Sequence, residues 1–231
     1  MQQKHKIVPT TKKRTIKMTR EKRFIEVEDI EIRSTHVEGG TEQKFVSGIG
    51  IVYNREVEIW PGYMEKIRNG ALRTSVDSGK EIKSFFNHNP SSVLSTTRSN
   101  PPLVIEDTDK GLRFESPIPP TTYGNDLEVN LQRKNVRGAS FSFEVKENGD
   151  ILTRDENGIY HREIIDAELY EVGPVTNPAY PSTNVGLRSQ EEAFAEAEER
   201  CKQENIPPVV ADDTIKIKRM KLTILEGALN A

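Results

Sequence analysis

The chain has 231 residues and a mass of 26.2 kDa, enough for one domain plus extensions, since a domain usually takes roughly 100–200 residues. Hydrophobic residues make up 34% and Gly is present 15 times, which falls short of the usual apolar share of about 45–50% counted with Gly, so part of the chain is expected outside any core. No apolar run approaches the roughly 18 residues a bilayer span needs, and the N-terminus lacks a secretory apolar stretch. Cys201, the single cysteine, excludes an intrachain disulfide and a cysteine-pair zinc site. A soluble protein of a reducing compartment is the expectation.

The net charge of −3 conceals an asymmetry: residues 1–23 carry nine Lys or Arg against Glu21 alone, leaving 24 basic and 35 acidic residues in the rest. Such a head is read as a flexible, solvated basic arm over residues 1–23, with nucleic-acid binding by charge alone as the lesser reading.

A folded body is expected from residue 24, where FIEVEDIEIRSTHVEG has the β-branched, alternating pattern of strands. FVSGIGIVY at 45–53 reads as a strand curved or closely approached at Gly48 and Gly50. After Pro61-Gly62, YMEKIRNGAL predicts one or two helical turns ended by Gly70. From Thr74 to Pro101 the composition is that of loops, anchored by the apolar knot Ile82, Phe85, Phe86 just before His88.

GLRFESPIP at 111–119 predicts a strand ending near Pro117, and GNDLEVNLQRKN at 124–135 a short helix capped by Asn125 or Asp126, with Leu127 and Leu131 one turn apart. In GASFSFEV, from Gly138, Ala139, Phe141, Phe143 and Val145 alternate with Ser140, Ser142 and Glu144, the pattern of a strand with one aromatic face. DENG between Ile151–Arg154 and Ile159–Ile165 suits a type I′ hairpin at Asn157-Gly158. AELYEVGPV is the next strand. Beyond residue 188 an acidic helix with Ala193, Phe194, Ala197 and Cys201 on one face precedes a tail of undecided structure. The sum is a mainly β chain with peripheral helices (α+β), a barrel or sandwich, in three parts: arm 1–23, body 24–188, and helix with tail 189–231.

No Walker loop, dinucleotide fingerprint or two-histidine metal motif is present, so no cofactor is expected and side-chain chemistry remains. His88 suits a general base, since an apolar anchor holds its loop still. Ser140 suits a nucleophile: Gly138 and Ala139 leave room for a carbonyl, while the phenylalanines pin the strand from its opposite face. Either residue alone is an ordinary polar side chain, and the serine means nothing unless His88 packs against it. A third group must orient the histidine. Glu171 is the first choice, because its alternation with Leu169, Gly173 and Val175 puts a carboxylate on an apolar strand face, where it would be costly unpaired; Asp166 is second. His161 sits in a hairpin strand and reads as a surface or cross-strand residue.

Read in order, these segments resemble the tailed-phage prohead maturation proteases, a serine peptidase family whose fold is similar to that of the herpesvirus assemblin proteases. The resemblance covers about residues 43–188: GIGIVYNREVEIWPGYMEKIRNGAL, then FFNHNP, GLRFESPIPPTTYGNDL, GASFSFEV and ELYEVGPVTNPAYPST. At Gly173-Pro174 the family more often has a serine and an apolar residue. The resemblance implies an antiparallel β-barrel and a serine endopeptidase with Ser140 as nucleophile, His88 as general base and Glu171 as orienting carboxylate. His161 or Asp166 are the alternatives for that third place, because the herpesvirus relatives use a second histidine there. It further implies backbone amides for the oxyanion, no metal or nucleotide, and action inside the phage prohead in the bacterial host cytoplasm. The implied substrates are the major capsid protein or a scaffolding protein, and the enzyme itself; the implied state is a dimer or higher homo-oligomer. No membrane is expected as a partner, nor is nucleic acid. In that setting the basic arm or the acidic helix could bind scaffold or shell, and whether self-cleavage trims both is left open. The competing reading is a catalytically silent head-assembly or scaffolding protein of the same fold.

Overall fold

The computed structural model describes residues 20–26, 30–36, 42–176 and 190–203. Among these residues thirteen strands and three helices run in the order β1 (Arg20–Glu26), β2 (Glu31–His36), β3 (Glu42–Val52), β4 (Val57–Trp60), β5 (Tyr63–Ile67), α1 (Arg73–Asp77), β6 (Lys83–Phe85), β7 (Val93–Thr96), β8 (Val104–Asp107), β9 (Gly111–Pro117), α2 (Thr122–Gln132), β10 (Gly138–Val145), β11 (Asp150–Arg154), β12 (Tyr160–Ile164), β13 (Ala167–Val175) and α3 (Gln190–Gln203). They form a five-stranded sheet, β1-β10-β13-β6-β7, and two four-stranded sheets, β11-β12-β5-β4 and β2-β3-β9-β8. The chain is mainly β, as expected, but no closed barrel forms among the described residues. Nor is pairing purely antiparallel, for β12 runs parallel to β5 and β13 to β6.

The main core lies where the five-stranded sheet meets β3 and β9: Val46, Ile51, Phe114, Phe141, Phe143, Leu169 and Val172 are almost wholly buried there, with Leu127 of α2. Phe141 and Phe143 stack with centroids 5.4 Å apart, which is the aromatic face predicted for β10. Gly50 explains the curvature expected of β3, because the register of β3 on β9 shifts between Ile49 and Ile51 and a Cβ at Gly50 would run into Val172. A second, smaller cluster joins Ile59, Tyr63, Leu152 and Tyr160 to Ala197 and Phe194 of α3. The acidic helix is therefore packed against the β11-β12-β5-β4 sheet, and Arg200 fixes its far end to Asp150 at 2.8 Å.

Several expectations are corrected. YMEKIRNGAL does not begin as a helix: residues 63–67 are β5, with Tyr63, Glu65 and Ile67 buried and Met64 and Lys66 turned outward. The alternation was hidden because one of the inward positions is a glutamate. The segment read as loop between Thr74 and Pro101 contains α1, β6 and β7, elements of three to five residues that are too short to show a period. The cap of α2 is Thr121, whose side chain accepts from the Gly124 amide at 3.2 Å, and not Asn125 or Asp126. Gly124 looked like the helix's boundary but lies in its first turn, where a Cβ would strike the Pro119 carbonyl. In the β11–β12 hairpin only Gly158 has positive φ, and the Asp155 amide bonds to the Ile159 carbonyl, so the turn is not type I′.

The largest correction concerns the arm. Residues 20–23, assigned to a flexible basic segment, are the first part of β1, which pairs antiparallel with β10 over its whole length. Residues 1–19 and 204–231, where the rest of the arm and the tail fall, lie outside the described residues.

What holds β1 is charge. Arg23 forks onto Glu65 (2.6 and 2.9 Å), Glu21 accepts from Arg162 with both oxygens at 2.9 Å, Arg162 also reaches Glu65 at 3.1 Å, and Asp150 takes the remaining side of Arg162 at 2.7 Å. Glu21, Arg23, Glu65 and Arg162 are all buried. Burial works to raise the Glu21 pKa, but Arg162 and Arg23 outweigh it and hold the carboxyl at about 2. For Arg23 burial pulls downward and is overcome by Glu65 and Glu21, so its pKa is raised. Such clusters are costly to break from one side, at about 3–5 kcal/mol for a stranded buried charge.

Glu21 has a depressed folded-state pKa, so its contribution to stability is complete above its ordinary value of 4.5 and is lost as pH falls toward about 2. Replacing Glu21→Gln should therefore lower the urea midpoint at neutral pH by the equivalent of about 3–5 kcal/mol. The gap from the unsubstituted protein should narrow steadily through the acid range, and a gap that does not change with pH would contradict this account.

Candidate active site

The two central strands of the five-stranded sheet supply two of the three residues singled out in the sequence. On the β10–β13 pair Ser140 lies opposite Gly173 and Ser142 opposite Glu171, while Phe143 lies opposite Leu169, so one residue of β13, Tyr170, is extra between them. Because side chains alternate along a strand, that bulge reverses the facing of everything before it relative to everything after it. Leu169 joins Phe143 in the core, and Glu171 joins the serines on the opposite face. Glu171 was picked for its alternation with Leu169; without the bulge the two would share a face, and the carboxylate would point into the core.

The third residue arrives on the loop between β6 and β7. Phe86 packs against the core, and Asn87 and His88 follow in the left-handed region at φ 54° and 56°. This conformation is uncommon outside Gly but tolerated best by Asn, Asp and His. It is held by three bonds to the end of β13: the Asn87 amide donates to the Pro174 carbonyl at 3.1 Å, and the Thr176 amide and hydroxyl donate to Asn87 Oδ1 at 2.8 and 3.2 Å. Gly173 makes this crossing possible, since any Cβ there would collide with the backbone of Phe85.

The imidazole spans the two strands. His88 Nδ1 donates to Glu171 Oε1 at 2.7 Å, and His88 Nε2 is in hydrogen-bond contact with Ser140 Oγ. The second carboxylate oxygen of Glu171 accepts from the Ser142 hydroxyl at 3.4 Å. Ser140, Ser142 and Glu171 are buried, while the His88 side chain retains 20% exposure. A carboxylate fixing one ring nitrogen selects the tautomer that offers the other as a base, and a hydroxyl at that nitrogen is placed to lose its proton.

The other residues weighed from sequence lie elsewhere. Asp166 pairs with Lys146 at 2.7 Å, and His161, on the β11-β12-β5-β4 sheet, pairs with Glu56 at 2.8 Å. Neither contacts His88. Three contributors were missed: Asn87, which orders the loop; Ser142, whose hydroxyl backs the carboxylate; and the backbone of Arg23, whose carbonyl accepts from Ser140 Oγ at 2.7 Å. Asn beside His in a knot-anchored loop was a readable signal for the first, but nothing in the sequence pointed to a main-chain carbonyl 117 residues upstream of the serine.

The solved structure of the bacteriophage T4 capsid assembly protease, gp21, aligns with 71% of this chain and 100% of its own at 14% identity, with a TM-score of 0.47. No curated protein matches the sequence. The family model described as caudovirus prohead serine protease matches residues 28–198, a span that holds β2 through most of α3 and with them Ser140, His88 and Glu171; the chain belongs to that family.

Proposed function

We propose that the protein is a serine endopeptidase of phage head maturation, with Ser140 as nucleophile, His88 as general base and acid, and Glu171 as the group that orients the imidazole. The observation that carries this reading is the continuous contact Glu171–His88–Ser140, assembled from three separate elements. Family membership supplies the setting. In the first half-reaction Ser140 Oγ bonds to the substrate carbonyl carbon as its proton passes to His88 Nε2. The peptide C–N bond then breaks with that proton delivered to the leaving amine. Water repeats the sequence on the acyl-enzyme and releases the acid. Glu171 holds the imidazole in place and stabilises the imidazolium formed between the steps.

The proposed substrates are the major capsid protein or a scaffolding protein inside the prohead, and the chain itself. A β-barrel fold and a homo-oligomeric working form belong to the same proposal.

A fluorophosphonate probe should label the protein at one site, with labelling abolished by Ser140→Ala and reduced by at least about a hundredfold in His88→Ala. A folded protein that stays unlabelled in assembled particles as well as in solution would favour the silent head-assembly reading instead. The substitution Glu171→Gln should lower kcat by roughly 10³–10⁴-fold, with KM little changed, in a peptide-cleavage assay, because the amide stabilises the wrong tautomer and no longer offsets the imidazolium charge. Asp166→Asn and His161→Gln should leave both constants within about twofold, as expected of surface groups outside the contact chain.

A further inference from the structure

Among the described residues β1 is an edge strand whose only sheet partner is β10, and it is laid against the serine. In their register Phe24 stands opposite Ser140 and Arg23 opposite Phe141. The Arg23 carbonyl accepts from Ser140 Oγ at 2.7 Å while the same oxygen contacts His88 Nε2. A hydroxyl has one proton, and when it serves the carbonyl it is not offered to the base. Ser140 is left 4% exposed, so an incoming peptide cannot lie along this edge of β10 while β1 is there.

The side chains of β1 reach through to the other face. Glu65 and Arg162 are directly paired in the register of the parallel strands β5 and β12, and they present an anion and a cation side by side. Arg23 of β1 takes the Glu65 carboxylate and Glu21, two residues earlier, takes the Arg162 guanidinium. The match is polar at both ends and reads in one direction only. It is also separable: to this buried cluster β1 brings one acid, Glu21, and one base, Arg23, so its departure removes no net charge from the cluster and leaves Glu65 and Arg162 paired with each other at 3.1 Å.

We propose that the outer edge of β10 is the docking site for a substrate strand, that β1 occupies it in place of substrate, and that Glu65 and Arg162 select an extended peptide with an acidic residue two positions before a basic one. This rests on Ser140 being the nucleophile. Strand addition supplies affinity through the main chain and leaves selection to alternate side chains. Here the reversed order, base before acid, would set a cation on Arg162 and an anion on Glu65 in a buried site, and that repulsion provides the discrimination. Deep burial of a charge network on an edge strand fits selection better than it fits stability, since apolar residues would hold a permanent strand as well.

The test uses the full chain. In the unsubstituted protein, hydrogen exchange should show the β1 amides and the β10 amides facing them opening together, at least tenfold more often than β3 and β13; opening of β1 only with the whole molecule would make it a permanent strand and overturn the proposal. In the charge-swapped variant Glu21→Lys/Arg23→Glu, fluorophosphonate labelling of Ser140 should be at least tenfold faster than in the unsubstituted chain. A fluorescent peptide of residues 20–26 should bind that variant and suppress labelling, while the same peptide with its acid and base exchanged should bind at least tenfold more weakly. Equal binding of the two peptides would overturn the selection by Glu65 and Arg162. If the variant does not fold, exchange in the unsubstituted protein still decides. Selective peptide binding with no labelling of Ser140 in any form would uphold the docking site and reject the peptidase reading, so the two can fail separately.

Discussion

A single extra residue in β13 determines which face of the sheet Glu171 takes. Tyr170 is unmatched in the pairing with β10, and its insertion moves Glu171 from the core face to the face that carries Ser140. Every other part of the site is arranged around that reversal. Gly173 stays bare so that β6 can cross close above it, β6 delivers the loop, and the loop's left-handed pair places an imidazole between a carboxylate and a hydroxyl. The stacked phenylalanines on the opposite face keep β10 from shifting register, which would carry the serine to the wrong side of the sheet.

The geometry also separates two jobs that usually compete. The contact chain lies on one face of the five-stranded sheet, and the charge cluster of Glu21, Arg23, Glu65 and Arg162 lies on the other, beside Phe143. A buried carboxylate near a base is pulled toward neighbouring guanidinium groups when it can reach them, and the sheet between them prevents this. Glu171 is thereby left to His88 and Ser142.

What could be read in the sequence follows the length of the signal. β10 and β13 are eight and nine residues long, enough for alternation to register, and the apolar knot before His88 gave away an anchored loop. Glu171 was found for a reason that the fold does not honour, because a bulge is invisible to a rule of strict alternation. β5 was misread since its middle inward position, Glu65, is polar, and polarity there makes sense only once Arg23 and Arg162 are known to converge on it from distant segments. The same long-range pairing hid β1: a run of Arg, Glu and Lys looks solvated until its partners, 42 and 141 residues away, are in view. Local pattern carries propensity and facing, but it carries nothing about which charges will meet.

The docking of α3 ties this cluster to the far end of the described chain. Arg200 holds Asp150, Asp150 holds Arg162, and Arg162 holds Glu21 and Glu65, which in turn hold Arg23. Among the described residues, three cations and three anions form one relay with no net charge, running from α3 to β1. Displacing either element would therefore leave the charges that faced it to be balanced by what remains of the relay.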